Sequence, residues 1–400
     1  MDYGRRKVLR GVAATALAAA PGILASRVSF AAPAAGEARF VFVLLRGALD
    51  GLAAVPPIGD ANYRKLRSEL ALNEVPGLAR LDDLFSLHAS LGFMAEQWRA
   101  KRLSVVHAVA TPYRERSHFD AQDVLESGFV LPHASQSGWV NRALGGLPKN
   151  QSRQSGVALG AGIPLVMRGD SDVASWSPSR QPELEQDTLQ RLSDLYADDA
   201  LLSRRLADAL IADDMAGEMA DDMKPGNTRG VAQLAQTATT AAGFLKQQNG
   251  PRVAVFETTG WDTHANQGTD NGTLSLRLAA LDAGLRALAT ELGPVWDRTV
   301  VMVATEFGRT AAQNGTRGTD HGTGTAAFLL GGGVRGGRII ADWPGLAPAE
   351  LYQGRDLKPT TDLRSVAKTV LRDHLGIGAK FIDSDVFPGS ASAPYLANLV

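Results

Sequence analysis

Cysteine is absent from this sequence of 400 residues. Its absence excludes disulfide bonds and thiolate metal sites, so any metal ion must be bound by carboxylates, imidazoles or neutral oxygens. An excess of charge of one sign is also absent, because 41 Lys and Arg residues stand against 42 Asp and Glu residues. Nucleic acids and anionic membranes attract clustered positive charge, and this balance favours neither as a partner.

A hydrophobic run long enough to cross a membrane is lacking near the N-terminus. The apolar stretch at residues 12–24 contains Pro21-Gly22 and falls short of the roughly 20 residues that a span needs. The basic segment Arg5-Arg6-Lys7 precedes it, and Ser29-Phe30-Ala31 follows with the small residues that a signal peptidase recognises. We therefore predict that residues 1–32 are an export signal rather than an uncleaved anchor, and that no stable membrane span remains after processing.

The basic segment resembles a twin-arginine export signal. In Gly4-Arg5-Arg6-Lys7-Val8-Leu9-Arg10 the paired arginines fit that pattern, whereas Gly4 and Val8 replace the Ser or Thr and the Phe that are common there. The resemblance implies recognition by the twin-arginine export machinery and a periplasmic or secreted location. Proteins that use this route travel folded, often with a cofactor already bound, which favours a metalloprotein.

Apolar runs and helical patterns alternate along the rest of the chain. Continuous apolar runs rich in β-branched residues are typical of buried parallel strands, and strand–helix–strand order is typical of a parallel sheet with right-handed crossovers. We predict an α/β fold with a mostly parallel central sheet flanked by helices on both faces, in one domain over residues 33–400. The predicted strands are 40–45, 103–109, 252–257 and 299–305, and helices are predicted at 118–127, 273–292 and 362–375.

The secondary structure of three further segments is also predicted. Residues 183–248 are predicted to form a helical insertion, since leucines recur at spacings near three and four beside an acidic face. Residues 156–168 are predicted to be a strand that bends at its glycines. The segments 326–330 and 338–341 flank a run of glycines and are predicted to form a hairpin. This run lacks the Gly-Lys-Ser/Thr ending of a phosphate loop, so no nucleotide site is expected there.

Carboxylates and imidazoles follow two of the predicted strands, at the edge where open α/β sheets place ligands. Asp262 and His264 either bind one ion together or form a hydrogen-bonded pair that braces their loop. Glu306 is either a ligand or the partner of Arg309 in a buried ion pair. His321, in a glycine-rich loop, is a further candidate imidazole ligand. These residue types predict a metal site made of oxygen and nitrogen donors.

Two earlier segments add candidates. Asp50, which lies one turn past the first strand, is either a metal ligand or a turn residue that binds its own backbone. Ser117 opens a predicted helix and is either a nucleophile, stabilised by the helix N-terminus, or a simple cap. Arg116 either receives an anionic substrate or lies solvated in its loop. His118 is either a ligand or base, or a lone histidine without a functional role.

Together these segments resemble a bacterial family of unknown function, domain of unknown function 1501 (DUF1501). That family in turn resembles the alkaline phosphatase and sulfatase superfamily, whose members are α/β sandwiches with a metal-dependent hydrolytic or phosphoryl-transfer site past the strand ends. The matching strings are Arg46-Gly47-Ala48-Leu49-Asp50-Gly51, Arg116-Ser117-His118-Phe119-Asp120-Ala121-Gln122-Asp123, Gly260-Trp261-Asp262-Thr263-His264, Thr305-Glu306-Phe307-Gly308-Arg309-Thr310 and Asp320-His321-Gly322.

The resemblance implies a role for each candidate residue. Ser117 would be the nucleophile, or would be replaced by a water, while Arg116 and Arg309 would neutralise charge on a small anionic ester. The cofactor implied is a divalent metal, and the donor types do not distinguish zinc, manganese, magnesium or calcium. The candidate metal ligands are Asp50, Asp262, His264, Glu306 and His321.

Two departures from the superfamily's pattern keep a second function open. Asp262 and His264 are separated by one residue instead of three, and Phe307 stands where the superfamily usually has His. A phenylalanine side chain offers no metal donor. The two functions left are a metal-dependent hydrolase of phosphate or sulfate esters and a non-catalytic exported binding or cell-envelope assembly module.

Overall fold

Short buried strands alternate with helices along the chain. The structure is a computed structural model that describes residues 38–73, 75–147, 155–160, 162–177, 201 and 231–400. The strands are β1 (Arg39–Arg46), β2 (Ala79–Arg80), β3 (Ser86–Leu87), β4 (Leu103–Ala110), β5 (Gly156–Leu159), β6 (Val173–Trp176), β7 (Val253–Thr259), β8 (Thr299–Thr305), β9 (Thr325–Leu330), β10 (Arg338–Ile340) and β11 (Thr361–Asp362). The helices are α1 (Gly51–Ala54), α2 (Tyr63–Arg67), α3 (Gly92–Arg99), α4 (His118–Ser127), α5 (Trp139–Gly145), α6 (Val231–Lys246), α7 (Thr273–Leu292), α8 (Leu363–Asp373) and α9 (Ala379–Phe381).

The central sheet has nine strands in the order β10–β4–β9–β8–β1–β7–β5–β6, and β11 also pairs with β4. Strand β1 lies between β7 and β8 and is parallel to both. Its side chains alternate between two cores, with Val41 and Val43 on one face and Phe40 and Phe42 on the other. Because both faces of the strand are covered, nearly every position is apolar and the run is continuous rather than alternating.

Helices cover both faces of the sheet. Helices α3, α6 and α7 supply apolar side chains to the core that contains Val41, and α6 and α7 pack along each other. Helices α4, α5 and α8 supply side chains to the core that contains Phe40. The predicted fold class, a mostly parallel α/β sheet flanked by helices on both faces, is therefore confirmed. Among the described residues, no helix is both long enough and apolar enough to cross a membrane.

The predicted hairpin between residues 326–330 and 338–341 is wrong. Strand β9 runs antiparallel between β4 and β8, whereas β10 pairs in parallel with the opposite edge of β4. The glycine-rich connection crosses the start of β4, where Gly336 N–H donates to the Lys101 carbonyl and Gly337 N–H to the Leu103 carbonyl. A Cβ at Gly336 would lie 2.4 Å from the Leu103 nitrogen, so glycine permits this close crossing.

Other predictions differ in extent or lie outside the described residues. The strand predicted at 156–168 ends at Leu159, and Leu165–Met167 is a 3₁₀ turn. Of the predicted insertion at 183–248, the structure describes Leu201 and α6. The predicted export signal at 1–32 lies outside the described residues.

Three loops leave the sheet side by side at its carboxyl edge. Arg46 at the end of β1 pairs with Thr259 at the end of β7, and Leu45 pairs with Thr305 at the end of β8. The loops that begin at Gly47, Gly260 and Glu306 therefore start from neighbouring positions. This register brings together the segments in which the sequence placed its candidate ligands.

Gly47 lies at a close contact between two of these loops. Its φ is +118°, and a Cβ there would lie 2.7 Å from the backbone nitrogen of Asp262. An L side chain would meet both an unfavourable backbone conformation and a backbone atom that cannot rotate away. The chain thus depends on glycine at the point where the β1 loop supports the β7 loop.

We expect Gly47→Ala to lower the free energy of unfolding by at least about 1–3 kcal/mol, the range for one strained backbone position. Urea unfolding would measure the change. Gly315→Ala is the matched control, because a Cβ there meets no atom within 4 Å, and it should stay within about 0.5 kcal/mol of wild type. Equal stability of the two variants would contradict the close-contact interpretation.

Candidate metal centre

Three histidines and one aspartate meet past the carboxyl ends of β7 and β8. Nε2 of His321 lies 3.0 Å from Nε2 of His118 and 2.9 Å from Nε2 of His264. The carboxylate of Asp262 lies 3.1 Å from His264 Nε2, 3.4 Å from His321 Nε2 and 3.6 Å from His118 Nε2. We refer to these four residues as the candidate metal centre.

The other nitrogen of each imidazole is held by an acceptor. Nδ1 of His118 lies 2.8 Å from Glu306 Oε1, Nδ1 of His264 lies 3.2 Å from Asp320 Oδ1, and Nδ1 of His321 lies 3.0 Å from the Arg116 carbonyl. Carbonyl and carboxylate oxygens only accept, so each Nδ1 is placed to donate to its oxygen. A neutral imidazole with its proton on Nδ1 has a lone pair on Nε2. In that tautomer the three Nε2 lone pairs would face one another.

This donor set fits a divalent cation. Lone pairs this close repel each other unless a positive charge lies among them, and neutral imidazole nitrogens with a carboxylate oxygen are typical zinc donors. Two donors bound tetrahedrally at zinc–nitrogen distances of about 2.0–2.1 Å would be about 3.3 Å apart, close to the separations seen here. One donor atom from each of His118, Asp262 and His321 lies within 4.8 Å of the others, and His264 adjoins them through His321.

Electrostatics favour the metal-binding protonation states of two of these residues, Asp262 and His321. Partial burial acts to raise the pKa of Asp262, but the hydrogen bond and charge of Arg309 outweigh it and hold that pKa below its ordinary value. Burial and the neighbouring His118 lower the pKa of His321. Asp262 is thus an anion and His321 a neutral ligand at neutral pH. The Asp262 side chain is 40% exposed and the His264 side chain 45% exposed, so solutes reach the centre from this side.

Glu306 lies behind His118 rather than among the converging atoms. Its Oε1 accepts from Gly47 N–H at 2.8 Å, His118 Nδ1 at 2.8 Å and Gln122 Nε2 at 3.1 Å. Burial alone would raise the pKa of Glu306, but the bonds from His118, Thr305 and Gln122 hold it below its ordinary value. A buried carboxylate bound to a ligand histidine fixes the ring and its tautomer. Glu306, predicted as a metal ligand, is thus placed beside His118 Nδ1 and not among the four converging residues.

Asp50 also lies outside the centre, in a buried ion pair with Arg67. One carboxylate oxygen accepts from Arg67 Nη2 at 2.9 Å, and the other accepts from Arg67 Nη1 and from Gln267 Nε2 at 2.8 Å. Both members of the pair are 0% exposed. Burial acts to raise the pKa of Asp50, but Arg67 and Gln267 hold it below its ordinary value. Its oxygens are occupied by these bonds, so the structure does not bring Asp50 together with the other predicted metal ligands.

The three predicted catalytic residues have different surroundings. Ser117 precedes α4, and its side chain makes no capping hydrogen bond to that helix. Arg116, whose φ is +61°, donates through its guanidinium to Asp356 at 2.8 Å and to Gln353 at 2.7 Å. Arg309 is 1% exposed and donates to Asp262. Arg309 therefore acts on a candidate ligand rather than directly on a substrate.

Sequence reasoning named His118 as a possible ligand or base but did not place it in the predicted ligand set. The residue follows a helix-opening Ser and resembles an ordinary first-turn side chain, and only its place in a matching string marked it. Phe307, which lacks a metal donor, packs with its ring centroid 4.8 Å from that of His118 and 5.3 Å from that of His321. It is 2% exposed and supports the two imidazoles from behind.

The model of a family described as "Protein of unknown function (DUF1501)" matches residues 37–385. No curated protein matches the chain.

Solved structures give distant likenesses. The chain is similar to the PsFucS1 sulfatase from Pseudoalteromonas sp., with 10% identity and a TM-score of 0.43 over 91% of this chain and 72% of that chain. It is similar to the phosphonate monoester hydrolase of Agrobacterium radiobacter, with 10% identity and a TM-score of 0.40 over 85% and 74%. It is also similar to the alkaline phosphatase from the Antarctic bacterium TAB5, with 13% identity and a TM-score of 0.37 over 78% and 95%. Likenesses at this level carry no inference about activity.

The Asp50–Arg67 pair generates a stability prediction. We expect Arg67→Met to lower the free energy of unfolding by about 3–5 kcal/mol, because it leaves the Asp50 charge buried without its counter-ion. The double variant Asp50→Asn/Arg67→Met should lose less than the sum of the two single losses, since no buried charge remains. Urea unfolding at neutral pH would measure all three. Simple additivity would contradict a coupled buried pair.

Proposed function

Because the chain belongs to the DUF1501 family, whose function is unknown, we propose an activity from the geometry of its own site: metal-dependent hydrolysis of phosphate or sulfate esters. One observation carries the proposal, namely the three Nε2 atoms and the Asp262 carboxylate that converge past the strand ends. The ester class comes from the sequence resemblance to the alkaline phosphatase and sulfatase superfamily. The open side of the centre gives such an ester access.

The proposed metal ligands are His118, Asp262 and His321, with His264 as the fourth. A divalent cation, when bound, polarises an ester oxygen and lowers the pKa of a coordinated water or hydroxyl group. Nitrogen and carboxylate donors favour zinc among the candidate ions, since magnesium and calcium prefer all-oxygen sites.

The chain's own residues prepare this centre. Glu306 holds the His118 proton on Nδ1, and Asp320 does the same for His264. Asp320 is also fixed by Asn314 Nδ2 at 3.0 Å, and this bond is the main reason that the pKa of Asp320 lies below its ordinary value. Both carboxylates are therefore charged acceptors at neutral pH. No rearrangement of tautomers is needed before the imidazoles bind a cation.

Ser117 is the proposed nucleophile. Its hydroxyl lies at the N-terminus of α4, next to His118, and is not used to cap the helix. The positive end of a helix dipole and its free N–H groups stabilise an alkoxide or a bound oxyanion. The residue thus combines a reactive atom, a favourable field and a neighbouring ligand histidine.

A second candidate function is a non-catalytic metal-binding module. The observation that favours it is the engagement of both predicted substrate arginines. Arg116 pairs with Asp356, and the guanidinium of Arg309 is buried against Asp262. In the present arrangement neither guanidinium is free to receive an anionic ester. An ion held here would then stabilise the fold or a partner's binding rather than accelerate a reaction.

Metal binding is the first expected result. Wild-type protein purified without chelators should contain close to one equivalent of a divalent metal by elemental analysis, and His118→Ala/His321→Ala should lose it because two donors are removed. His133→Ala is the matched control, since His133 is 72% exposed and its ion pairs are with acidic side chains of α4. A folded wild type that stays metal-free after incubation with zinc, manganese, magnesium and calcium would contradict the proposed centre.

Activity is the second expected result. Metal-loaded wild type should cleave an aryl phosphate or an aryl sulfate, and Ser117→Ala should lose at least about 100-fold in turnover. Retained metal content in that variant is the control for an intact centre. Full activity in Ser117→Ala would transfer the nucleophilic role to a water. No cleavage of either ester class by metal-loaded wild type would favour the non-catalytic module.

A further inference from the structure

We infer that Gln267 is a positioning residue of the candidate metal centre, whose buried amide fixes the Asp262 carboxylate through Thr319 and Arg309. The inference rests on the proposed metal-binding function and concerns side chains that touch neither metal nor substrate. The chain of contacts starts at the Asp50–Arg67 pair and ends at Asp262. Each link has a direction that the chemistry of its groups determines.

The first link sets the orientation of the Gln267 amide. Arg67 only donates, and the Asp50 carboxylate only accepts. The group of Gln267 that lies 2.8 Å from Asp50 Oδ2 must therefore be the amide nitrogen. The amide oxygen is consequently turned to the opposite side, away from the ion pair.

The second link passes this orientation to Arg309. Gln267 Oε1 accepts from the hydroxyl of Thr263 at 2.7 Å and from that of Thr319 at 2.9 Å. Because the proton of the Thr319 hydroxyl is used in that bond, its oxygen is left to accept from Arg309 Nε at 3.2 Å. Arg309 Nη2 also donates to the Thr319 carbonyl. The guanidinium is thus held at two edges by one threonine.

The last link reaches the candidate ligand. Arg309 Nη1 donates to Asp262 Oδ1, while Asp262 Oδ2 faces His118 Nε2 at 3.6 Å. The fixed Arg309 guanidinium therefore determines which Asp262 oxygen pairs with the arginine and which one faces His118. Asp262 itself is 40% exposed, so without Arg309 its side chain would be free to rotate into solvent.

Burial makes the chain of contacts sensitive to any single change. Gln267 and Thr319 are 0% exposed, Thr263 is 2% exposed and Arg309 is 1% exposed. Solvent does not reach these groups, so a lost partner leaves a buried donor or acceptor unsatisfied and its neighbour must move to pair again.

The backbone of Gln267 is held separately from its side chain. Its N–H donates to the Arg317 carbonyl at 2.9 Å, and its carbonyl accepts from Leu274 N–H at 3.2 Å. A substitution of the side chain therefore breaks the contacts to Asp50 and Thr319 without releasing the loop. This separation makes a positioning role distinguishable from a general role in loop stability.

The test compares Gln267→Met with Gln313→Met, an identical exchange at a glutamine whose side-chain oxygen accepts from Leu70 N–H at 3.1 Å, outside this chain of contacts. Zinc affinity would be measured by competition with a chromophoric chelator, and donor geometry by the visible spectrum of the cobalt(II)-loaded protein. We expect Gln267→Met to bind zinc about tenfold more weakly, the low end of the range for residues that orient ligands, and to shift the cobalt spectrum. Gln313→Met should match wild type in both. Wild-type affinity and spectrum in Gln267→Met would overturn the inference.

Two further measurements keep the outcome decisive. If Gln267→Met does not fold, Thr319→Val is the alternative variant, because it removes the hydroxyl that links Gln267 to Arg309. It should also weaken zinc binding. A crystal structure of the metal-free Gln267→Met protein separates this inference from the proposed function, because it does not require metal binding. We expect the Asp262 carboxylate there in a new rotamer, away from Arg309. Asp262 and Arg309 in their wild-type positions would overturn the inference even if wild type binds zinc.

Discussion

The hydrogen bond from each imidazole Nδ1 to a fixed oxygen is the constraint on which the candidate centre depends. Without it, each ring could turn over or move its proton, and the Nε2 lone pairs would not face a common point. The three acceptors differ in rigidity. Glu306 is buried and accepts several bonds, the Arg116 carbonyl belongs to a residue with φ of +61°, and Asp320 is half exposed. His118 and His321 are thus held more firmly than His264, which leaves His264 as the most adaptable of the four.

The sheet supplies the coarse placement that this constraint refines. Parallel pairing of β1 with β7 and β8 starts three loops from adjacent positions, and the contact of Gly47 with the Asp262 backbone sets their spacing. Behind them lie two buried carboxylates with separate tasks: Asp50 pairs with Arg67, and Glu306 accepts from His118. The oxygens of both accept hydrogen bonds from the protein, Asp50 from Arg67 and Gln267 and Glu306 from His118 and Gln122.

Sequence patterns predicted the fold class and the strands that carry the site, because continuous apolar runs and strand–helix–strand order are local signals. They also named Asp262, His264 and His321 as candidate ligands, since each lies past a strand end or in a polar loop, and the structure brings these three together. Asp50 lies outside that group because it pairs with Arg67 in a separate short helix, and sequence does not show that the two are paired. His118 was not in the predicted ligand set, because no local pattern reports that the N-terminus of α4 faces two distant loops. The hairpin failed because β4, far earlier in the chain, lies between its two strands.

The absence of sulfur from the candidate centre has a consequence for how a bound ion would be lost. Thiolate ligands are released by oxidants, by disulfide exchange and by soft competing metals, because sulfur changes its oxidation state or its partner. Imidazole and carboxylate donors do neither. The fraction of protein with a bound ion would therefore not depend on the redox potential of the surroundings. It would depend on pH and on the concentration of free cations.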